Sequence, residues 1–442
     1  MVATRRHLLA GLGAIGFCAP AIVRAQSGPL LASDFGVVPD LPEDQTAKLQ
    51  AALMAAADRG LPLMLPAGEI LVTGLDFPGI AIEGIAGRTV LTGTGRAFNA
   101  DGLTIRNVGF RAGRTGADMP ALLTLDNCPS ARIESCSFRD SPQTGLAITS
   151  STVTVSGCAF AGHGDAAIHA LDSRGLVISG NRISDCGNAG IRIWRSESGP
   201  DGSIVMQNRI ETIDWRSGGN GQNGNGINIF RADEVIVADN HIADCAFSAV
   251  RLNTTNNTAV TGNVCLDSGE VAIFSEFAFT GSMIANNIVD GAATGISITN
   301  LDSGGQLAVC SGNIVRNITP ASRVNPDTNP VGIVAEAETA ITGNTVQNVP
   351  GGVGIAAGFG PFLRNVLISG NVISAASLGI GVSVVEEAGA VHVADNIISG
   401  PFDYAAVGLR WTEIAETDLF ANVGLYPHVT VADNVVRPEA KA

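Results

Sequence analysis

"LVISGNRISDCGNAGIRI", residues 176–193, returns as "VLISGNVISAASLGIGVSV" at residues 366–384. The shared frame is apolar, x, apolar, x, x, Asn, x, apolar. Aligned on that frame, the chain places Asn181, Asn208, Asn240, Asn263, Asn287, Asn313, Asn344, Asn371, Asn396 and Asn434 in one position, with Val108, Cys136 and Cys158 filling it upstream. Neighbouring copies lie 22 to 38 residues apart, the spacing of a solenoid.

The physics of one copy dictates the stack. Strand side chains alternate, so Leu176 and Ile178 turn to one side, and Ile183 returns to that side after a sharp turn. A single copy leaves this apolar face wet; copies superimposed about 4.8 Å apart pack like on like and acquire a core. The residue before the ladder position is Gly180, Asp239, Gly262, Gly312, Gly343, Gly370, Asp395 or Asp433. These types accept the left-handed backbone of a tight corner. Stacked Asn amides donate and accept along the axis, so the ladder is architectural. A second short strand follows most copies: "GLAI" at 145, "GIRI" at 190, "GINI" at 226, "AVRL" at 249 and "GISI" at 295. A leucine-rich repeat would show Leu-dominated positions and helical return segments, whereas Val and Ile dominate here and no helical period is readable. The expectation is an all-β right-handed parallel β-helix of about 12–13 rungs with a short N-terminal capping helix. Its repeats occupy residues 101–437, the cap and first coils 26–100, and a tail 438–442.

The totals agree with that architecture. Of 442 residues, 45% are hydrophobic but only 5% aromatic, and 54 are glycine, a composition for many short strands and turns. The formal charge of −15 argues against nucleic acid and anionic membrane surfaces as partners. Local Arg clusters still permit an acidic polysaccharide. After residue 30 no apolar run approaches the roughly 20 residues of a membrane helix, so no transmembrane segment is expected in the mature chain. Cys128, Cys136, Cys158, Cys186, Cys245, Cys265 and Cys310 form no recognisable disulfide framework and read as small buried hydrophobes. No His/Cys set has zinc spacing, and the corner Asp residues are too dispersed for calcium; neither metal nor cofactor is expected.

Two segments carry a family resemblance. "MVATRRHLLAGLGAIGFCAPAIVRAQ", residues 1–26, with Arg5 and Arg6 before a short apolar stretch, resembles a twin-arginine export signal cleaved after Ala25. It implies the twin-arginine translocation machinery as a partner during export and a bacterial periplasmic or secreted location. Loss of three arginines takes the formal charge from −15 to −18. "SDFGVVPDLPEDQTAKLQAALMAAADRGLPLMLPAG", residues 33–68, resembles the opening of pectate-lyase-like and polygalacturonase-like β-helix proteins, in which a short helix and a strand cap the coil. Here Leu49, Ala52, Leu53 and Ala56 share a helix face, and Leu63 and Leu65 alternate behind it. The combination also resembles a family of twin-arginine-exported repeat proteins without an established activity.

Chemistry is expected on outward strand positions and long loops. The alternation puts Ala147, His169, Arg192, Asn228, Arg251 and Phe274 in one outward column, continued by Ser297, Val334, Ala356, Gly381 and Gly408. Leu171, Trp194, Phe230, Asn253 and Glu276 form a second. Aromatic faces pack on sugar rings, Arg pairs with carboxylates and Asn reads hydroxyls. The loop "ETIDWRSGGNGQNGNG" at 211–226 offers Asp214, Trp215 and Arg216 on a movable lip. "AGHGDAAIHA" at 161–170 places His163 in a Gly-His-Gly, as in polygalacturonases, with Asp165 close by and Arg192-Ile193 following. The upstream acidic elements of that family are missing, and the paired carboxylates of a glycoside hydrolase are not readable. A lyase or uronate epimerase needs a base and a cation, roles open to His169 with Arg192 or Arg251. The functional expectation is an exported β-helix protein that binds, and cleaves or modifies, an acidic polysaccharide. The alternative is a noncatalytic periplasmic or cell-surface module whose flat faces hold a protein or envelope component.

Overall fold

The computed structural model describes residues 28–113 and 120–438. Residues 1–25, read from the sequence as an export signal, and residues 439–442 of the expected tail lie outside the described residues. The chain is a right-handed parallel β-helix: one wall of 16 strands runs its whole length, and a 28-stranded sheet carries the other two walls. Those two join because Thr345–Ala357 and Val372–Ser383 run unbroken round the corner between them.

One rung shows how the sequence makes three walls. Val177–Ser179 belongs to the first wall, Arg182–Cys186 to the second and Ala189–Pro200 to the third. Gly180 turns the first corner at φ +64°, and Asp185 the second at +56°. Inside, Ile133, Val155, Ile178, Val205, Val237, Val260 and Ile284 follow one another in parallel register on the first wall. On the second wall Phe110, Phe138 and Phe160 stack with centroids 4.9 and 4.7 Å apart and nearly parallel rings. Leu176, Ile178 and Ile183 are buried together as the alternation requires. The cysteines from Cys128 to Cys310 are buried too.

The ladder is continuous. Asn181 Nδ2 donates to Asn208 Oδ1 at 2.9 Å, and the same bond repeats through Asn240, Asn263, Asn287, Asn313, Asn344, Asn371, Asn396 and Asn434 at 2.8–3.0 Å. Each Oδ1 also accepts the backbone N–H of the preceding ladder residue, as Asn208 does from Asn181. The corner's orphan donors are thereby satisfied without water.

The N-terminal cap is the helix Thr46–Arg59, ended by Gly60 in the left-handed conformation, with Leu49, Ala52, Leu53 and Ala56 buried. At the other end an insertion interrupts the coil. After Tyr404–Arg410 an antiparallel strand, Glu413–Glu416, and a short helix, Leu419–Asn422, precede the last rung. Leu419 is fully buried there. No helix among the described residues is long and apolar enough to cross a membrane.

Candidate functional site

The third wall aligns the expected columns rung by rung. His169, Arg192, Asn228, Arg251 and Phe274 are register partners in succession, as are Leu171, Trp194, Phe230, Asn253 and Glu276. The first column runs on through Ser297, Val334, Ala356 and Gly381 and ends on Val407, one residue before the Gly408 expected from sequence. The slip arises because the rung beginning at Tyr404 reaches its inward position at Ala406.

The two arginines expected to meet substrate are instead neutralised from within. Arg192 is 4% exposed; its Nη1 donates to both oxygens of Asp165 at 3.0 Å and its Nη2 to Asn223 Oδ1 at 2.8 Å. Burial pushes the Asp165 carboxyl up, but the Arg192 charge and bonds from Asn188, Arg192 and Thr144 outweigh it and hold the group below the ordinary range. Arg251 forks onto Glu276 with two bonds of 2.7 Å and reaches Glu270 at 2.9 Å. Asn253 donates to the same Glu276 at 2.7 Å, and Asn325, from a distant loop, to Glu270 at 2.8 Å. A buried guanidinium demands such partners. Glu270 and Glu276 are thereby buried counter-ions of Arg251, while Asp165, its side chain 28% exposed, pairs with Arg192 at the edge of the wall.

His163 also departs from expectation. It is fully buried in the interior, edge-on to Phe160, and neither ring nitrogen has a partner. The cause is Gly162, whose φ of +75° turns the corner and brings residue 163 back inward, in register with Cys186. Burial lowers its pKa to about 4. His163 faces no solvent-lined groove.

The 211–226 loop is pinned, in place of the movable lip expected. Ser217 N–H donates to Asn188 Oδ1, Asn223 Nδ2 to Gly218 O, Asn225 Nδ2 to Gly221 O and Trp215 Nε1 to Gly219 O, at 2.8–3.0 Å. Gly221, at φ +122°, lies so close to Arg251 that a Cβ would stand 2.4 Å from the guanidinium carbon. The asparagines that looked like flexible filler are staples. Asp214, Trp215 and Arg216 bound a separate cleft of about 360 Å³ at the corner between the second and third walls, opposite Asp185, Asp244 and Arg323. Arg216 donates to Asp214 at 3.1 Å, and Trp215 packs on Phe247.

A half-buried aromatic strip remains open. Trp194 and Phe230 meet edge to face at 6.0 Å, with His169 5.2 Å from Trp194. Asn228, itself buried, accepts from Trp194 Nε1 at 3.0 Å, and Arg192 lies against the indole at 5.1 Å, so the ring is fixed. His169 Nε2 has no partner; burial, then the Arg192 charge, lowers its pKa, leaving a neutral imidazole at neutral pH. Beside the strip stand two arginines that the column reading missed. Arg195 donates to the carbonyls of Glu197 and Ser173, and Arg231 to that of Ser196 while covering Phe230 at 4.7 Å. Neither is among the ion pairs of the described residues. The available signal was position: each directly follows an aromatic column residue. Glu336 was missed as well. It is buried beyond Glu276 on the same wall, accepts from Leu301 N–H at 2.6 Å, and burial raises its pKa to about 7.

The family model described as "Right handed beta helix region" matches residues 90–219. No curated protein matches the sequence. Among solved structures, the chain is similar to tailspike protein 3 of bacteriophage CBA120, at 12% identity and a TM-score of 0.53, covering 88% of this chain and 62% of that one. The N-terminal fragment of gene product 12 of bacteriophage Phi29 gives 14% identity and a TM-score of 0.51 over 92% and 66% of the two chains. The enzymatically active domain of CBA120 tailspike protein 2 gives 12% and 0.50, over 72% of this chain and 48% of that one. This chain thus spans about half the length of that last structure. At such identities the likeness concerns the fold.

Proposed function

We propose that the protein binds an extended acidic polysaccharide along the third wall, with Trp194 and Phe230 as sugar platforms and Arg195 and Arg231 as partners for its carboxylates. The observation that carries this reading is the half-exposed aromatic pair in consecutive rungs, each member followed by an arginine that is not ion-paired. The rung spacing of about 4.8 Å is close to the length of one sugar unit, so a chain laid along the axis meets one ring per rung. Aromatic faces supply apolar contact to pyranoses, and a guanidinium recognises a carboxylate through paired N–H groups. The Asp165–Arg192 and Arg251–Glu270–Glu276 networks keep this platform rigid, which lowers the ordering cost of binding. The test is a panel of uronate and neutral polymers in affinity electrophoresis. Retardation by uronates, weakened by Trp194→Ala and Arg231→Ala, supports the reading; no retardation by any polymer overturns it.

A modifying activity has one specific observation behind it. His169 stands beside Trp194 with no partner at Nε2; that nitrogen is buried, so taking a proton beside a substrate carboxylate requires the imidazole to turn outward. Asp165, Glu270 and Glu276 are occupied, which disfavours two-carboxylate hydrolysis. Under this reading His169→Ala removes any lyase or epimerase turnover while retaining binding. Export through residues 1–25 to the periplasm or beyond belongs to the same proposal. Its check is retention of an Arg5→Lys, Arg6→Lys variant in the cytoplasm with the segment uncleaved.

A further inference from the structure

The cleft at the corner between the second and third walls lies apart from the aromatic strip, and two pinned segments make it. Asp214, Trp215 and Arg216 of the stapled loop stand on one side. Arg323 and Val324 stand on the other, in the segment 319–330 that makes the same turn four rungs on. That segment reaches back two rungs: Ser322 Oγ donates to Gly269 O at 2.7 Å and Arg323 Nη2 to Asp267 O at 3.1 Å. Along the corner, Asp185, Thr212 and Asp244 follow in successive rungs, because their neighbours Cys186, Ile213 and Cys245 are register partners. All three take a φ of 52–58° and are exposed. The floor is apolar. Cys186 and Ile213 are buried there, and the half-buried Trp215 meets Phe247 edge to face at 5.3 Å, its Nε1 bonded to Gly219 O.

We propose that this cleft is a second binding site, for a neutral saccharide unit: Trp215 lies against the sugar ring, Asp185 and Asp244 accept from its hydroxyls, and Arg323 donates to its oxygens. Size agrees, since about 360 Å³ falls at the lower end of small-molecule sites, roughly 300–1,000 Å³. Polar groups of both signs stand open in it. Arg216 is paired with Asp214 at 3.1 Å, whereas Asp185, Asp244 and Arg323 belong to none of the ion pairs of the described residues. A sugar hydroxyl suits both kinds of group, donating to a carboxylate and accepting from a guanidinium, and an aromatic face supplies the apolar contact. Asp185 and Asp244 stand two strand spacings apart, about 9.6 Å, so one ring is reached from both sides. Charge excludes the acidic unit sought by the strip: Asp185, Asp214 and Asp244 outnumber Arg216 and Arg323 and repel a uronate. A metal ion is no better served, because no three His, Cys, Asp or Glu among the described residues are grouped to hold one. With both flanks pinned, little remains to be ordered on binding.

Tryptophan fluorescence of the full chain tests this. Trp194→Phe with Trp411→Phe leaves Trp215 alone of the 3 tryptophans, so the emission reads the cleft whatever the strip binds. Titration with cellobiose, maltose and lactose is expected to change that emission saturably for at least one of them, at millimolar concentration, and glucuronate to leave it unchanged. Asp185→Asn with Asp244→Asn, made in the same background, removes the carboxylates without disturbing the corner, since Asn accepts the same left-handed backbone. The pair should weaken saccharide affinity at least tenfold while the circular dichroism spectrum and thermal midpoint stay those of the parent. No saturable change with any of the three sugars, as large a response to glucuronate, or an unchanged affinity in the double asparagine variant overturns the proposal.

Discussion

Arg251 illustrates how a residue read as a ligand for substrate becomes a strut. Its side chain and those of Glu270 and Glu276 are 8%, 4% and 3% exposed, and every one of its contacts is internal. Removing one partner of a buried ion pair leaves the other uncompensated and costs about 3–5 kcal/mol. Arg251→Leu is therefore expected to lower the urea midpoint strongly, and a combined Arg251→Leu, Glu270→Gln, Glu276→Gln variant to recover much of that loss. His163 gives a pH signature. Its folded pKa of about 4 lies below the ordinary 6.5, so the unfolded chain binds more protons between those values, and stability falls as pH drops through that window. By pH 5 this group alone removes about 2 kcal/mol relative to neutral pH. His163→Leu should flatten the acid limb of the stability profile measured by urea denaturation. Glu336 works in the opposite sense: with its pKa raised to about 7, stability declines as pH rises from the usual carboxylate range through 7, and Glu336→Gln removes that decline.

At the scale of elements, the Asn corner carries the fold's regularity. Asn287 donates to Val260 O and Asn313 Oδ1 at 3.0 Å and accepts from the backbone and side chain of Asn263. Asn287→Ala leaves several buried groups without partners, each worth about 1–3 kcal/mol. Asn434, at the partly exposed end of the ladder, should cost no more than about 1 kcal/mol on the same change. Thermal unfolding of the two variants distinguishes a cooperative ladder from a decorative one. These elements were legible because the ladder repeats within 38 residues and the physics of one copy applies to all. The loop at 211–226 was not legible in the same way. Its glycines and asparagines suit a mobile segment equally well; the contacts to neighbouring rungs, Ser217 with Asn188 and Gly221 against Arg251, add what no local pattern reports, that the loop is stapled to the wall. His163 escaped for a related reason: one left-handed residue, Gly162, resets the alternation that places every side chain after it.

Across the whole molecule, stability is a sum of like rungs with two special ends. The helix Thr46–Arg59 covers the first interior, and Leu53, fully buried beneath it, is the residue whose loss uncovers it. Leu53→Asp is expected to leave the strand content of the later rungs intact while promoting association through the exposed end. Light scattering alongside circular dichroism reads both. The third wall's column alignment was visible in the sequence, since register follows from the repeat. Its charge state was not, because Asn325 reaches Glu270 across 55 residues and no local pattern reports such a contact. Under the proposed function, what the wall offers to a saccharide is the strip of Trp194, Phe230, Arg195 and Arg231, framed by networks already satisfied. Hydrogen exchange with and without a uronate oligosaccharide tests this most directly. Protection confined to peptides spanning Ala189–Pro200 and Asn225–Asp233, and lost with Trp194→Ala, is the predicted result. Protection elsewhere on the coil, or none in the presence of saturating saccharide, contradicts the account.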